Sequence, residues 1–139
     1  MVVMQNSDKK ILIVEDDDYL RQTLVDGLII NNYNIFQAVD GEDAVRKLVD
    51  HRPHLVLLDL MLPKLDGFKV LERIRHFPDQ QIADTKVIVL SNLWSNKDIL
   101  RAQALKVEEY FVKANTNLQD VFAKIKAHLD ELKQAGFKG

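Results

Sequence analysis

Five short apolar runs, too short to be helices and mostly unbroken by polar residues, constrain this chain more than any other feature. They are Ile11-Leu12-Ile13-Val14, Ile35-Phe36-Gln37-Ala38-Val39, Leu55-Val56-Leu57-Leu58, Val87-Ile88-Val89-Leu90 and Tyr110-Phe111-Val112. Runs of this length without alternation describe strands buried on both faces. The segments between them carry helical spacing instead. Leu20, Leu24 and Leu28 recur every four residues, and Leu118, Phe122, Ile125, Leu129 and Leu132 form a stripe at steps of four and three. Shorter stripes run through Ala44, Val45 and Leu48, through Phe68, Leu71 and Ile74, and through Ile99, Leu100 and Ala104. Strands separated by helices cannot pair as hairpins. The expected fold is therefore α/β, a doubly wound five-stranded parallel sheet with right-handed crossovers and helices on both faces.

That pattern consumes nearly the whole chain. A length of 139 residues suits one domain, and 47% hydrophobic with 29% charged residues is an ordinary globular composition. We expect an N-terminal extension over 1–8, one domain over 9–133 and a frayed tail over 134–139. Nineteen basic against twenty-one acidic residues give a net charge of −2, with no long block of one sign. A polybasic nucleic-acid arm is thereby excluded. The absence of cysteine excludes a disulfide scaffold, a thiolate metal site and a cysteine nucleophile. No apolar run approaches the roughly 20 residues that cross a bilayer, and the first ten residues lack signal-peptide character. The expectation is a cytoplasmic protein with no membrane contact.

In open parallel sheets, ligands bind beyond the carboxyl ends of the strands. The first run here ends in Glu15-Asp16-Asp17-Asp18, the third in Asp59, the fourth in Ser91 and the fifth in Lys113. The second ends in Asp40-Gly41, which reads as an ordinary turn into the second helix. Asp17 or Asp18 suits a helix N-cap, but Glu15 and Asp16 directly after a buried strand do not. If strands one and three are neighbours, those carboxylates face Asp59. Clustered carboxylates repel one another unless a cation lies among them, and a sparse set of hard oxygen ligands suits Mg²⁺. An acidic trio, a hydroxyl and a lysine on one sheet edge compose a phosphoryl site.

These residues resemble the receiver domain of two-component response regulators over roughly Lys10 to Leu132. The most specific segment is Leu57-Leu58-Asp59-Leu60-Met61-Leu62-Pro63-Lys64-Leu65-Asp66-Gly67, which is similar to the family's phosphoacceptor loop. Ile11 to Asp17 resembles its acidic opening, and the runs ending in Ser91 and Lys113 its later strands. The resemblance implies a flavodoxin-like strand order of 2-1-3-4-5. It implies that Asp59 takes a phosphoryl group from a histidine kinase or histidine phosphotransfer protein. Asp16, Asp59 and the Met61 backbone carbonyl would hold Mg²⁺, with Glu15 acting through a water. Ser91 and Lys113 would bind phosphoryl oxygens, and Ser91 with Tyr110 would carry the switch. Output would be a change in contacts with a downstream protein, with no direct nucleic-acid binding, from a stand-alone monomer or a phosphorylation-dependent homodimer. The dimer surface to test first would be the fourth predicted helix, fifth strand and fifth predicted helix.

The family pattern is broken at three places. Ala114 follows the lysine where the family usually has proline; a cis bond there would cost ~2.5–4 kcal/mol, so we expect a trans turn and a displaced Lys113. Asn92 replaces a small residue after the hydroxyl, and Leu93 makes the entrance apolar, which predicts slow hydrolysis. Lys106 stands where the family often has glycine, so we expect a loop of different shape. Trp94 reads first as a semi-exposed aromatic packed over the fourth predicted helix, and otherwise as an output anchor. The four histidines, His51, His54, His76 and His128, show no ligand spacing. Three other functions compete. A receiver-shaped scaffold that accepts no phosphate is suggested by Asn92 and Ala114. An aspartyl-phosphate hydrolase would want a second acid where Met61 stands. A flavodoxin-like cofactor binder would want a phosphate loop where Glu15-Asp16-Asp17 would repel it.

Overall fold

A computed structural model describes residues 5–136, with side chains as far as residue 132. Five parallel strands, β1 (Lys10–Val14), β2 (Asn34–Ala38), β3 (Leu55–Leu58), β4 (Lys86–Ser91) and β5 (Glu109–Val112), form one sheet in the order β2-β1-β3-β4-β5. Helices α1 (Asp18–Ile29), α2 (Gly41–His51), α3 (Gly67–Arg75), α4 (Gln80–Ala83), α5 (Asn96–Ala104) and α6 (Leu118–Gly136) connect and follow them. The parallel five-stranded architecture is as the apolar patterning predicted, and the 2-1-3-4-5 order as the family resemblance implied. Because β1 pairs with both β2 and β3, the chain reverses its winding direction between β1 and β3. That reversal opens the crevice where the acidic residues stand.

Alternate side chains of each strand serve opposite layers. Leu12, Val14, Val56, Leu58, Val87 and Val89 pack with Leu48 of α2, Phe68 and Leu71 of α3 and Ala102 of α5. Ile11, Ile13, Leu55, Leu57, Ile88 and Leu90 face Leu24 and Leu28 of α1 and Val121, Ile125 and Leu129 of α6. The unbroken apolar runs are thus explained by two buried faces. Edge strands β2 and β5 are only partly covered, and Val39, expected within the second strand, lies beyond it and is exposed.

Several helix starts carry their caps in sequence. Asp17, Asp40, Asp66 and Ser95 each accept a backbone N–H of the first turn of α1, α2, α3 and α5. Helix α4 was not expected, because a single turn leaves no periodicity to read. The boundaries also move. Asn6–Asp8 forms a 3₁₀ turn whose Asn6 amide donates to the Asn31 carbonyl at 2.9 Å, so the 1–8 extension is docked from residue 5 onward. Helix α6 extends to Gly136, into the stretch expected as a tail. Residues 1–4 and 137–139 of the expected extension and tail lie outside the described residues.

Candidate functional site

The strand register brings the acidic residues together. Val14 is level with Leu58, and the Asp59 amide donates to the Val14 carbonyl at 3.1 Å, so Glu15 and Asp59 emerge side by side. Glu15, Asp16 and Asp59 each offer a carboxylate oxygen within 4.8 Å of the others, with Glu15 and Asp59 buried and Asp16 exposed. Lys113, from the turn after β5, reaches across the sheet edge. Its Nζ lies 2.7 Å from Glu15 Oε1 and donates to Asp59 Oδ2 at 2.8 Å. The remaining oxygens are held by backbone: the Met61 amide donates to Asp59 Oδ1 at 3.0 Å and the Asp17 amide to Glu15 Oε2 at 3.1 Å.

Burial raises the Glu15 carboxyl above its usual pKa; the Lys113 and Asp17 hydrogen bonds work against that rise, and the Asp59 charge adds to it. Burial pulls Lys113 down, but its bonds to Asp59 and Glu15 and their charges outweigh this and leave it raised. One ammonium held on Glu15 and Asp59, with the Asp16 side chain beside them, gives the cluster more carboxylate groups than cations. A carboxylate-rich cluster with an exposed member and a backbone carbonyl in the adjoining loop fits a hard divalent cation that keeps waters. The donor set thus passes the chemical test for Mg²⁺.

Ser91, the last residue of β4, and Tyr110 of β5 both bond Leu93 in the loop that follows β4. Ser91 is fully buried and its Oγ accepts from the Leu93 amide at 3.4 Å. The Tyr110 hydroxyl donates to the Leu93 carbonyl at 2.7 Å, and burial, with the Asp98 and Asp59 charges behind it, pushes its pKa up to about 12. Leu93, Met61, Leu62, Phe68, Asp16 and Arg101 line an open cleft of about 570 Å³ beside the carboxylates, so the approach is apolar with charged margins. Trp94 is 73% exposed, more open than the semi-exposed position expected for it.

A response regulator receiver domain profile matches residues 11–126. The chain belongs to the response regulator receiver family. Among its relatives, the DNA-binding dual master transcriptional regulator RpaA of Synechocystis is 33% identical over 129 residues, covering 91% of this chain and 52% of that protein. The chain spans about half the length of the curated relatives it matches. A CheY-like receiver domain protein from Methanospirillum hungatei superposes with a TM-score of 0.81 at 25% identity, over 91% of this chain and 98% of that one. The CheX-CheY-BeF3-Mg²⁺ complex from Borrelia burgdorferi gives 0.76 at 26% identity, over 86% of this chain and 87% of that one.

Two expectations drawn from this receiver's departures are corrected. Lys113 is not displaced by Ala114. Among the described residues every peptide bond is trans, and a 3₁₀ turn over Lys113–Asn115, closed by the Thr116 hydroxyl on the Val112 carbonyl at 2.6 Å, still delivers Nζ to Asp59. The loop at Lys106 keeps a left-handed backbone, with φ of 61°. Arg75 holds it there by donating to the Leu105 and Lys106 carbonyls at 2.8 and 3.0 Å. Sequence reasoning also missed Arg21, whose guanidinium donates to the Glu15 carbonyl at 2.9 Å and steadies the acidic turn. Nothing in its local pattern distinguishes it from any other polar residue on a helix.

Proposed function

We propose that this receiver accepts a phosphoryl group on Asp59 and signals by altering its contacts with other proteins in the cytoplasm. The observation that carries the reading is the buried Asp59 carboxylate held between a fixed ammonium and a backbone amide beside further acidic side chains. A carboxylate is ionised at neutral pH, so it needs no general base. Asp59 Oδ attacks the phosphorus of a donor phosphohistidine, the P–N bond breaks, and the imidazole leaves with a proton from solvent. Lys113 and Ser91 then meet the new phosphoryl oxygens.

Asp16, Asp59 and the Met61 carbonyl would hold Mg²⁺, with Glu15 acting through a water; bound there, it would supply charge neutralisation for the transferring group. The acyl phosphate adds about −1.5 to −2 charges. Drawing Ser91 and Lys113 toward that charge shifts the loops after β4 and β5, and with them the outer surface of α5 and α6. A histidine kinase or phosphotransfer protein would be the donor. The scaffold alternative rested on Ala114 and Asn92; the Lys113–Asp59 contact, kept despite Ala114, supports the phosphoacceptor reading over it. Intact-mass measurement after incubation with phosphoramidate tests the reading. One phosphoryl addition with Mg²⁺ and none with a chelator supports it, whereas no addition in either refutes it.

A further inference from the structure

The loop that carries Asp59 into α3 is held from two directions. At its far end the Gly67 amide donates to the Leu60 carbonyl at 3.0 Å. A Cβ on Gly67 would fall 2.4 Å from both the Asp59 carbonyl oxygen and the Leu60 Cα, so only glycine lets α3 start this close. The second hold comes from the start of α2. The Gly41 amide donates to the Pro63 carbonyl at 3.3 Å, and the Leu65 amide donates to the same carbonyl at 2.8 Å. Lys64, between them, is left-handed with φ of 68°. Its Nζ lies 3.5 Å from Asp40 Oδ2, while Asp40 Oδ1 accepts from the Asp43 amide at 2.8 Å. A Cβ on Gly41 would lie 1.8 Å from the Leu65 carbonyl oxygen. No small adjustment relieves that contact, because the neighbour is backbone.

We propose that Asp40 and Gly41, at the start of α2, are positioning residues for the phosphoacceptor loop and so for Mg²⁺ binding. They touch no reacting atom. They act through Pro63, Lys64 and Leu65, which fix the loop on one side of Met61 as Gly67 fixes it on the other. The Met61 peptide, whose amide already bonds Asp59, is thereby suspended between two rigid helix starts. What reads in sequence as an ordinary turn is a clamp on a site eighteen residues further along the chain. Residues that orient a metal's ligands typically alter affinity 10–100-fold when changed.

The inference rests on the Mg²⁺ reading above, and the test separates the two. Calorimetric titration with MgCl₂ is run on wild type and on Gly41→Ala, alongside the metal-free melting temperature of each. The expected result is a folded Gly41→Ala protein that binds Mg²⁺ roughly tenfold more weakly. A glycine needed only for packing would lower the melting temperature and leave Mg²⁺ affinity unchanged, and that result overturns the inference alone. A wild type that takes up no Mg²⁺ overturns the metal assignment and the inference with it. Should Gly41→Ala fail to fold, Asp40→Asn and Lys64→Met carry the test, since both break the ionic tie while leaving the cap oxygen and the backbone contact. Each is expected to weaken Mg²⁺ about threefold; unchanged affinity in both overturns the clamp.

Discussion

Replacing Lys113 by methionine keeps the aliphatic stem and removes the ammonium that pairs with Glu15 and Asp59. Both carboxylates are almost fully buried, with side chains 3% and 4% exposed. Breaking a buried pair from one side ordinarily costs about 3–5 kcal/mol, since the survivor is an uncompensated charge. Protonation sets a ceiling on that cost. Each pH unit above the ordinary glutamate pKa of 4.5 adds about 1.4 kcal/mol, giving about 3.4 kcal/mol at pH 7 and about 0.7 kcal/mol at pH 5. Metal-free Lys113→Met should therefore lose about 3 kcal/mol at pH 7, or about 10 °C in melting temperature, and less than a third of that at pH 5. At the other end, the raised pKa of Lys113 keeps its contribution from neutral pH up to 10.5 and loses it as pH climbs through the folded value, so wild type and variant should converge above it. Saturating Mg²⁺ should stabilise the variant more than wild type, as the cation replaces the missing charge. Urea unfolding at the two pH values, with and without Mg²⁺, reads all of this. A variant as stable as wild type at pH 7, or a deficit that does not shrink on acidification, would refute the electrostatic argument.

Three further outcomes follow from single contacts. Tyr110→Phe removes the hydrogen bond to the Leu93 carbonyl, so it should cost about 1 kcal/mol in urea unfolding and lower the fluorescence anisotropy of the adjacent Trp94. Lys106→Gly should stabilise the fold by about 1 kcal/mol in the same assay by releasing the left-handed strain, a result that would confirm the backbone at that turn. On acidification, Asp40 and Asp79 should lose their native contribution as the pH falls through their folded values below 3.8. The Asp43 amide holds the first down and the Arg52 guanidinium the second, so melting temperature should hold at pH 5 and drop by pH 3.

The architecture was legible because its two periods are written separately: unbroken apolar runs for strands covered twice, spaced leucines for helices covered once. The acidic turn, Asp59 and Lys113 were legible because carboxylates and a lysine directly after buried strands have no ordinary structural duty as a set. What stayed hidden is tertiary. Lys113 reaches its partners through a 3₁₀ turn that no local rule specifies, and Lys106 holds an unfavoured backbone because Arg75, thirty-one residues earlier, bonds its carbonyl. Gly41 looked like a turn residue because the atom that excludes a side chain there belongs to Leu65. Helix α4 escaped because four residues carry no period.

The central claim, that Asp59 is the phosphoacceptor, is tested most directly by intact mass after acetyl phosphate and Mg²⁺, comparing wild type with Asp59→Asn. The account expects one phosphoryl addition in wild type, sensitive to hydroxylamine as an acyl phosphate must be, and none in the variant. An equal addition in both, or no addition to a folded wild type that binds Mg²⁺, would contradict it.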